Sequence, residues 1–184
     1  MSDACTLVAI VGLPGSGKSV AAEFFRSQGY TVLRFGDQTD VGLKENNLPL
    51  TEENERRYRE NIRKELGMAA MAIKIEPRIR GALKKSRLIV LDGMRSFEEY
   101  LYLKEKFPSL SVLCIYASPA VRGKRLTARK IRPLTEEEAH DRDIAEITKL
   151  NSGGPIALSD YLIINEGSPE QFEKDLKKYI LTLS

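Results

Sequence analysis

The chain has 184 residues, of which 30% are charged and 42% are hydrophobic, and its formal net charge is +3. This length fits one domain with its own core, so we expect a single domain over 1–184. There is no run of about 18 apolar residues, which argues against a membrane span, and no signal-like N-terminus, so we expect a cytoplasmic protein.

The charge is too small to indicate a nucleic-acid partner by itself. Cys5 and Cys114 lie in or beside apolar runs, which predicts reduced, buried thiols rather than a disulfide or metal site.

Five short apolar runs predict strands, at 6–11, 31–35, 87–91, 111–117 and 161–164. The runs are continuous rather than alternating, as expected of strands that are covered on both faces. Longer amphipathic stretches separate them and predict helices. This alternation predicts an α/β fold with a mostly parallel sheet and helices on both faces.

Helix boundaries are indicated by short polar signals. A helix is expected over 19–27, and another from 51 to about 75, broken near Gly67, with Pro77 marking a further break or kink. Three segments have a hydroxyl residue three positions before Glu or Gln, as in a capping box, at 96–99, 135–138 and 168–171. Ser118 followed by Pro119 fits a helix start.

The glycine-rich segment 12–19, GLPGSGKS, matches the phosphate-binding pattern G-x-x-x-x-G-K-[ST] at every fixed position. Its glycines let backbone N–H groups turn toward an anion, and the next helix offers its positive end to the same anion. Lys18 is expected to reach the β- and γ-phosphates, and Ser19 to ligate Mg²⁺. The predicted nucleotide-binding residues of this loop are Gly12, Gly15, Ser16, Gly17, Lys18, Ser19 and Val20.

A dinucleotide-binding turn is a rival interpretation of the same loop. Gly15 and Gly17 match its first two glycines, and Asp37 follows at a suitable distance for a ribose hydroxyl. Val20, however, stands where Gly or Ala is expected, and a lysine is unusual in such a turn. We therefore favour the phosphate-binding loop.

Asp92 follows the apolar run at 87–91 directly. An acid at this place can hold Mg²⁺ or orient the acceptor, whereas the alternative is a turn or helix-capping aspartate. A dense group of cations follows between 122 and 132, and Arg142 comes after an acidic run. The group is interpreted as a mobile flap that stabilises a transferring phosphoryl group, with a solvated helix face as the alternative. Because no aromatic residues are interleaved, a nucleic-acid surface is disfavoured.

Together these features resemble the nucleoside-monophosphate-kinase-like branch of the P-loop kinases, and most of all the archaeal proteins related to adenylate kinase or similar to dephospho-CoA kinase. The resemblance implies a three-layer P-loop kinase fold with a five-stranded sheet, an acceptor-binding helical segment at about 37–85 and a short lid at about 129–142. The segments that carry it, besides 12–19, are FGD at 35–37, LPLTEEN at 48–54, LDGMRS at 91–96, YASP at 116–119, RD at 142–143, IALSDY at 156–161 and NEG at 165–167.

The resemblance also implies roles for single residues. Arg125 corresponds to an adenine-stacking arginine, Arg129 and Arg142 to arginines that grip phosphates, and Asn165 lies near the base of ATP. Asp92 and Arg95 match the acceptor segment, and Asp37 and Arg57 are further candidates for binding the acceptor, with Arg56, Arg59 and Arg63 as alternatives to Arg57. No arginine follows Asp37 directly and the 91–95 segment is one residue shorter than in adenylate kinases, both of which argue against AMP.

The sequence therefore predicts a Mg²⁺/ATP-dependent phosphotransferase that acts on a small metabolite, such as a nucleoside monophosphate or dephospho-CoA. Lys18, Asp92, Arg129 and Arg142 are the expected catalytic residues, and Ser19 and Asp92 the expected metal ligands. A slow ATPase that acts as a switch, or one linked to nucleic acid, is the alternative. The acceptor, the choice between ATP and GTP, and the oligomeric state stay open.

Overall fold

The structure is a computed structural model that describes residues 6–183, so the prediction made for Cys5 lies outside the described residues. Five parallel strands form one sheet in the order β2-β3-β1-β4-β5. The strands are β1 (Thr6–Val11), β2 (Thr31–Arg34), β3 (Leu88–Asp92), β4 (Ser111–Tyr116) and β5 (Tyr161–Ile164). The predicted α/β class with helices on both faces of a parallel sheet is confirmed.

Nine helices connect or flank these strands in the described part of the chain. In chain order they are α1 (Lys18–Ser27), α2 (Asp37–Glu45), α3 (Glu52–Leu66), α4 (Ala70–Leu83), α5 (Phe97–Lys106), α6 (Pro119–Thr127), α7 (Glu136–Leu150), α8 (Gly153–Ala157) and α9 (Pro169–Leu181). Among residues 6–183, none of these helices is both long and apolar enough to cross a membrane.

The core lies on both faces of the sheet because successive strand side chains point in opposite directions. In β1, Leu7, Ala9 and Val11 pack into a cluster with residues of α4 and α5. Val8 and Ile10 pack into a second cluster with residues of α1 and α9. Each fully buried aliphatic side chain contributes about 1.5–3 kcal/mol, so this two-sided burial fixes the central strand. Cys114 of β4 is a buried free thiol in the first cluster, as predicted.

Two of the three predicted capping boxes are complete. Those at Ser96 and Thr135 each have the hydroxyl accepting from the third residue's N–H and the glutamate accepting in return. At Ser168 the hydroxyl accepts from the Gln171 backbone N–H at 3.3 Å. The Gln171 amide, however, donates to Asp175 one turn later, at 2.9–3.0 Å. That capping box is therefore half-formed: the hydroxyl contact is present, but the Gln171 side chain does not return to Ser168. A glutamine amide can donate to a carboxylate, which a glutamate side chain cannot do.

The segment between β2 and β3 differs from the local sequence prediction in two ways. The local residue pattern did not mark helix α2, although it lies within the helical segment implied at about 37–85. The break expected at Pro77 is wrong because α4 continues through it, and a kink there stays a prediction. Ile75 and Ile79 on either side of Pro77 are fully buried. Their burial offsets the cost of about 3 kcal/mol that a proline imposes inside a helix. The predicted break at Gly67 is confirmed, with α3 ending there at φ +76°.

Candidate active site

A cleft of about 920 Å³ opens where the carboxyl ends of β1 and β3 meet. The loop after β1 forms one wall, and Asp92 at the end of β3 lies at the base beside it. Segments from α3, α7 and the connection that follows α6 complete the lining. Open parallel sheets bind their ligands at this edge, and the volume is in the range of small-molecule sites.

The loop at 12–17 has a backbone that requires glycine. Gly12 and Gly17 have φ angles of +140° and +107°. A Cβ atom at Gly12 would lie 2.2 Å from the carbonyl oxygen of Ile115, and one at Gly17 would lie 2.2 Å from Nδ2 of Asn165. Both positions are therefore closed to other residues by backbone conformation and by space. Gly12, Gly15, Gly17, Ser19 and Val20 line the cleft, and their binding of a nucleotide stays a prediction.

Ser16 is the loop residue that the structure does not bring to the cleft. Its side chain is fully buried, and its backbone N–H donates to the carbonyl of Leu13 at 3.2 Å. The N–H of Ser16 closes the turn in this structure, and its contact with a phosphate stays a prediction. Its carbonyl oxygen is used as well, as the acceptor for Asn165.

Lys18 lies along the inner side of the loop. Its Nζ donates to the carbonyl of Gly12 at 2.6 Å and to that of Leu13 at 3.0 Å. The pKa of Lys18 is lowered to about 8, mainly by burial and also by the neighbouring Arg95, while Glu146 and Asp92 oppose the change. An anion bound beside this ammonium would stabilise its charged form.

Asn165, which follows β5, joins the loop to α6. Its Nδ2 donates to the carbonyl of Ser16 at 2.8 Å, and its side chain is buried. Arg125 reaches the same place, with Nη2 3.5 Å from Oδ1 of Asn165 and Nη1 3.4 Å from the carbonyl of Gly15. Both residues line the cleft, but the amide of Asn165 is engaged by the loop. Asn165 therefore holds the phosphate-binding loop in place, in addition to its predicted position near the base of ATP.

Two oxygen-bearing side chains could hold a metal ion. The Ser19 side chain is exposed and Asp92 is partly buried, and both line the cleft. Burial raises the pKa of Asp92, while Arg34, Lys18 and Arg95 act in the opposite direction. Residues 6–183 contain no group of three or more His, Cys, Asp or Glu that could hold a metal. One hydroxyl and one carboxylate fit Mg²⁺, which takes hard oxygen ligands and is commonly bound through few protein groups plus phosphates.

The predicted lid is a loop between α6 and α7 together with the start of α7. Arg129 and Arg132 of the loop and Arg142 of α7 line the cleft. Arg132 pairs with Glu52, at the first residue of α3, with 3.1 Å between Nη2 and Oε2. Arg129 and Arg142 are exposed and have no ion pair with any residue of 6–183. Their guanidinium groups are therefore available to a ligand.

Three predicted acceptor residues have different positions. Arg95 lines the cleft, and its Nη1 donates to Glu146 Oε1 at 3.2 Å. Asp37 does not line it; its carboxylate pairs with Arg78 at 3.2 Å and lies 3.9 Å from Arg34. Arg57 lines a separate pocket of about 420 Å³ beside α2 and α3. Asp37 and Arg57 therefore lie outside the lining of this cleft, and their binding of an acceptor stays a prediction.

The α3 arginines that do reach the cleft are Arg59 and Arg63. They are four positions apart and so share one helix face, whereas Arg57 is two positions from Arg59 and lies on another face. The sequence contained all of these arginines as candidates but did not reveal the orientation of the helix.

Sequence comparisons identify the family. A family model described as an AAA domain matches residues 8–146. A UPF0200 protein of Thermococcus kodakarensis is 34% identical over 178 residues, covering 95% of this chain and 96% of that protein. One of Hyperthermus butylicus is 34% identical over 187 residues, covering 100% of this chain and 98% of that protein. The chain belongs to the UPF0200 family.

The UPF0200 chain also resembles solved structures over nearly its whole length. TT1252 from Thermus thermophilus has a TM-score of 0.65 at 23% identity, covering 98% of each chain. Shikimate kinase from Bacteroides thetaiotaomicron has a TM-score of 0.62 at 13% identity, covering 97% of this chain and 98% of that one. A gluconokinase from Sinorhizobium meliloti has a TM-score of 0.56 at 15% identity, covering 98% of this chain and 94% of that one. At these identities the likeness establishes the fold, which is that of a P-loop kinase.

The cleft of this UPF0200 protein is strongly basic. Nine basic side chains line it against four acidic ones, Glu52, Asp92, Glu99 and Glu146. Such an excess in a concave site concentrates anions. The basic residues are Lys18, Arg34, Arg59, Arg63, Arg95, Arg125, Arg129, Arg132 and Arg142.

The sequence analysis did not identify Glu146 as a cleft residue, and it did not predict that Arg122 is buried. Glu146 is buried at the cleft wall and holds Arg95. Arg122 is 4% exposed and donates to the backbone carbonyls of Ala117 and Pro14 at 3.0 and 3.2 Å. Nothing local distinguishes Arg122 from the neighbouring cations, because two of its partners, Pro14 and Asp143, are distant in sequence.

Proposed function

We propose that this UPF0200 protein is a Mg²⁺/ATP-dependent small-molecule kinase. The observation that carries the proposal is the P-loop with Lys18, at one wall of a cleft whose other walls present an excess of arginine. The cleft has room for a nucleotide and a small acceptor together. Binding of a highly charged donor and a separate acceptor in one basic cleft is what phosphoryl transfer needs, because positioning and charge stabilisation supply most of the catalysis.

The loop residues would bind the phosphates of ATP. The N–H groups of Gly15, Gly17, Lys18 and Ser19 are the candidate donors, and the start of α1 adds its positive end. Lys18 would exchange the two loop carbonyls that it contacts for oxygens of the β- and γ-phosphates. Arg125 would lie against the base of ATP, and its contact with Asn165 would hold it in that position.

Ser19 and Asp92 would hold Mg²⁺ together with the nucleotide. The ion, when bound, neutralises charge on the β- and γ-phosphate oxygens. The Asp92 carboxylate interacts electrostatically with Lys18 of the P-loop and with Arg34 and Arg95 on the other side of the cleft. This arrangement suits a group that organises the reacting phosphates.

Arg129 and Arg142 would complete the site from the lid. During transfer the bond between the γ-phosphorus and the bridging oxygen breaks, a bond to an acceptor oxygen forms, and ADP leaves. Charge spreads over the γ-phosphoryl oxygens in the transition state, so two guanidinium groups there lower the barrier. Their lack of ion-pair partners among the described residues supports this role, since no existing pair must be broken.

The candidate acceptors are a nucleoside monophosphate and dephospho-CoA. Shikimate and gluconate enter as comparison substrates because structural neighbours are named for acting on them. The test is transfer from γ-labelled ATP, and separately GTP, with Mg²⁺ and each acceptor in turn. Lys18→Ala is the loss-of-function variant, and Lys130→Ala, an exposed lid substitution outside the cleft lining, is its control.

A labelled product that appears with wild type and Lys130→Ala but is absent with Lys18→Ala would support the proposal and identify the acceptor. Wild-type rates in Lys18→Ala would refute the assignment of the site. Release of label only as free phosphate, whatever acceptor is present, would favour the alternative of a slow ATPase switch.

A further inference from the structure

Four arginines line the part of the cleft formed by β2, α3 and the turn between β3 and α5, which we call the acceptor face. They come from separate elements, Arg34 from β2, Arg59 and Arg63 from α3, and Arg95 from the turn. Arg34 lies 3.9 Å from Asp92, Arg59 pairs with Glu55 at 3.1 Å, and Arg95 pairs with Glu146. Arg63 stands apart from these three.

Arg63 has a buried Nε atom without a hydrogen-bond partner. It also has no ion pair with any residue in the described part of the chain. Leaving a buried donor unsatisfied costs about 1–3 kcal/mol, and more where the group is charged. The side chain lines the cleft, so an oxygen supplied by a ligand could satisfy it.

The surroundings of Arg63 offer only partial compensation. Glu99 is its acidic neighbour, but Oε2 of Glu99 accepts from the backbone N–H groups of Arg95 and Ser96, at 2.7 and 3.1 Å. Burial raises the pKa of Glu99 to about 7, so its negative charge is incomplete near neutral pH. The acceptor face therefore keeps a positive excess around Arg63.

These cations continue toward the P-loop. Arg95 is an electrostatic neighbour of Lys18, and both Arg95 and Arg63 are neighbours of Glu99. Arg59 lies one turn before Arg63 on the same face of α3. A ligand on the acceptor face would thus meet Arg63, Arg59 and Arg95 on the side that leads to Lys18.

We propose that the acceptor is a phosphate ester whose dianionic phosphate group is bound by Arg63 and Arg59 of α3, with Arg95 at its other side. This inference rests on the proposed kinase function and specifies its substrate class. Arginine forks match phosphate oxygens in pairs, and a dianion balances several guanidinium groups better than a single carboxylate does. Nucleosides, shikimate, gluconate and dephospho-CoA, whose diphosphate is a diester, lack this group and are excluded as substrates, which leaves the nucleoside monophosphates among the candidates.

The test is calorimetric titration of inorganic phosphate into the full chain saturated with Mg²⁺ and a β,γ-imido analogue of ATP. The analogue fills the P-loop, so any phosphate that binds must use a second site. We expect one phosphate per chain for wild type and at least about tenfold weaker binding for Arg63→Ala, because a charge-assisted contact is lost. Arg56→Ala, on the exposed side of α3 and outside the cleft lining, should bind phosphate as wild type does.

Arg63→Lys keeps the charge and loses the fork, so it should fall between wild type and Arg63→Ala. Thermal melts of all variants verify that each is folded. The proposal is overturned if phosphate does not bind the analogue-saturated protein, or if Arg63→Ala and Arg56→Ala behave alike. Equal binding of acetate at the same ionic strength would also overturn it, because a carboxylate would then suffice.

The proposed kinase function can fail separately. If neither this analogue nor the corresponding GTP analogue binds, the kinase proposal is refuted, and phosphate is titrated into the bare protein instead. If the bare protein binds phosphate, and this binding is lost in Arg63→Ala but retained in Lys18→Ala, the result would still support an anion site on the acceptor face. Loss in Lys18→Ala alone would assign the bound phosphate to the P-loop and overturn the inference.

Discussion

Arg122 and Asp143 form a buried ion pair that joins α6 to α7, with 2.7 Å between Nη1 and Oδ1. Because Arg122 also donates to the carbonyl of Pro14, the pair connects α7 to the P-loop. Asp143 is the neighbour of Arg142, and Glu146 lies one turn later and holds Arg95. Helix α7 is thus attached on one side to the loop proposed to bind ATP and on the other to the acceptor face.

Asp143→Asn should destabilise the protein by about 3 kcal/mol, because it leaves the buried guanidinium of Arg122 without its counter-charge. The variant should also transfer phosphate more slowly, since the start of α7 carries Arg142. Urea denaturation and single-turnover kinetics measure the two effects. Asp141→Asn, an exposed neighbour on the same helix, is the control. Unchanged stability in Asp143→Asn would show that Ala117 and Pro14 alone hold Arg122.

Arg142→Ala should lower kcat by about 100-fold or more while changing ATP affinity little, because the contact is proposed to form in the transition state. Lys149→Ala, an exposed cation later in α7 and outside the cleft lining, should leave both quantities unchanged. Steady-state transfer kinetics give kcat, and titration of the imido analogue gives affinity. A loss confined to affinity would argue that Arg142 binds the ground state only.

The strands and the P-loop could be predicted because their signals are local. The continuous apolar runs of β1 and β3 need no partner to be recognised, and GLPGSGKS has a fixed spacing. The local pattern did not mark helix α2, because its core-facing side includes the polar residues Gln38 and Thr39, which are buried in the fold. Burial of polar groups depends on distant partners, and a single sequence does not show these.

The acceptor residues show the same limit. Residues 51–66 were expected to be helical, yet choosing among their arginines required the direction in which α3 faces. In the structure, Arg59 and Arg63 line the cleft, whereas Arg57 lines another pocket. Likewise, the burial of Arg122 follows from packing against Pro14 and Asp143, which are 108 and 21 positions away.

The stability of the protein should depend on pH through Glu99. Burial raises the pKa of this carboxyl from 4.5 to about 7. The folded state therefore holds a proton that the unfolded chain releases above about pH 4.5. The contribution is fully present below that pH and is lost as the pH rises through 7. The full difference corresponds to about 3 kcal/mol.

Glu99→Gln should remove this dependence, because the amide is neutral at every pH and keeps an oxygen that can accept from the Arg95 and Ser96 N–H groups. Denaturant unfolding of wild type and variant between pH 4 and 8 tests it. We expect the stability of wild type to fall relative to Glu99→Gln across the interval from about 4.5 to 7. Glu105→Gln, exposed on the same helix, controls for the loss of one acidic group. Parallel curves for wild type and Glu99→Gln would mean that Glu99 has the same pKa in the folded and unfolded states, with Arg63 and Arg95 offsetting the effect of burial.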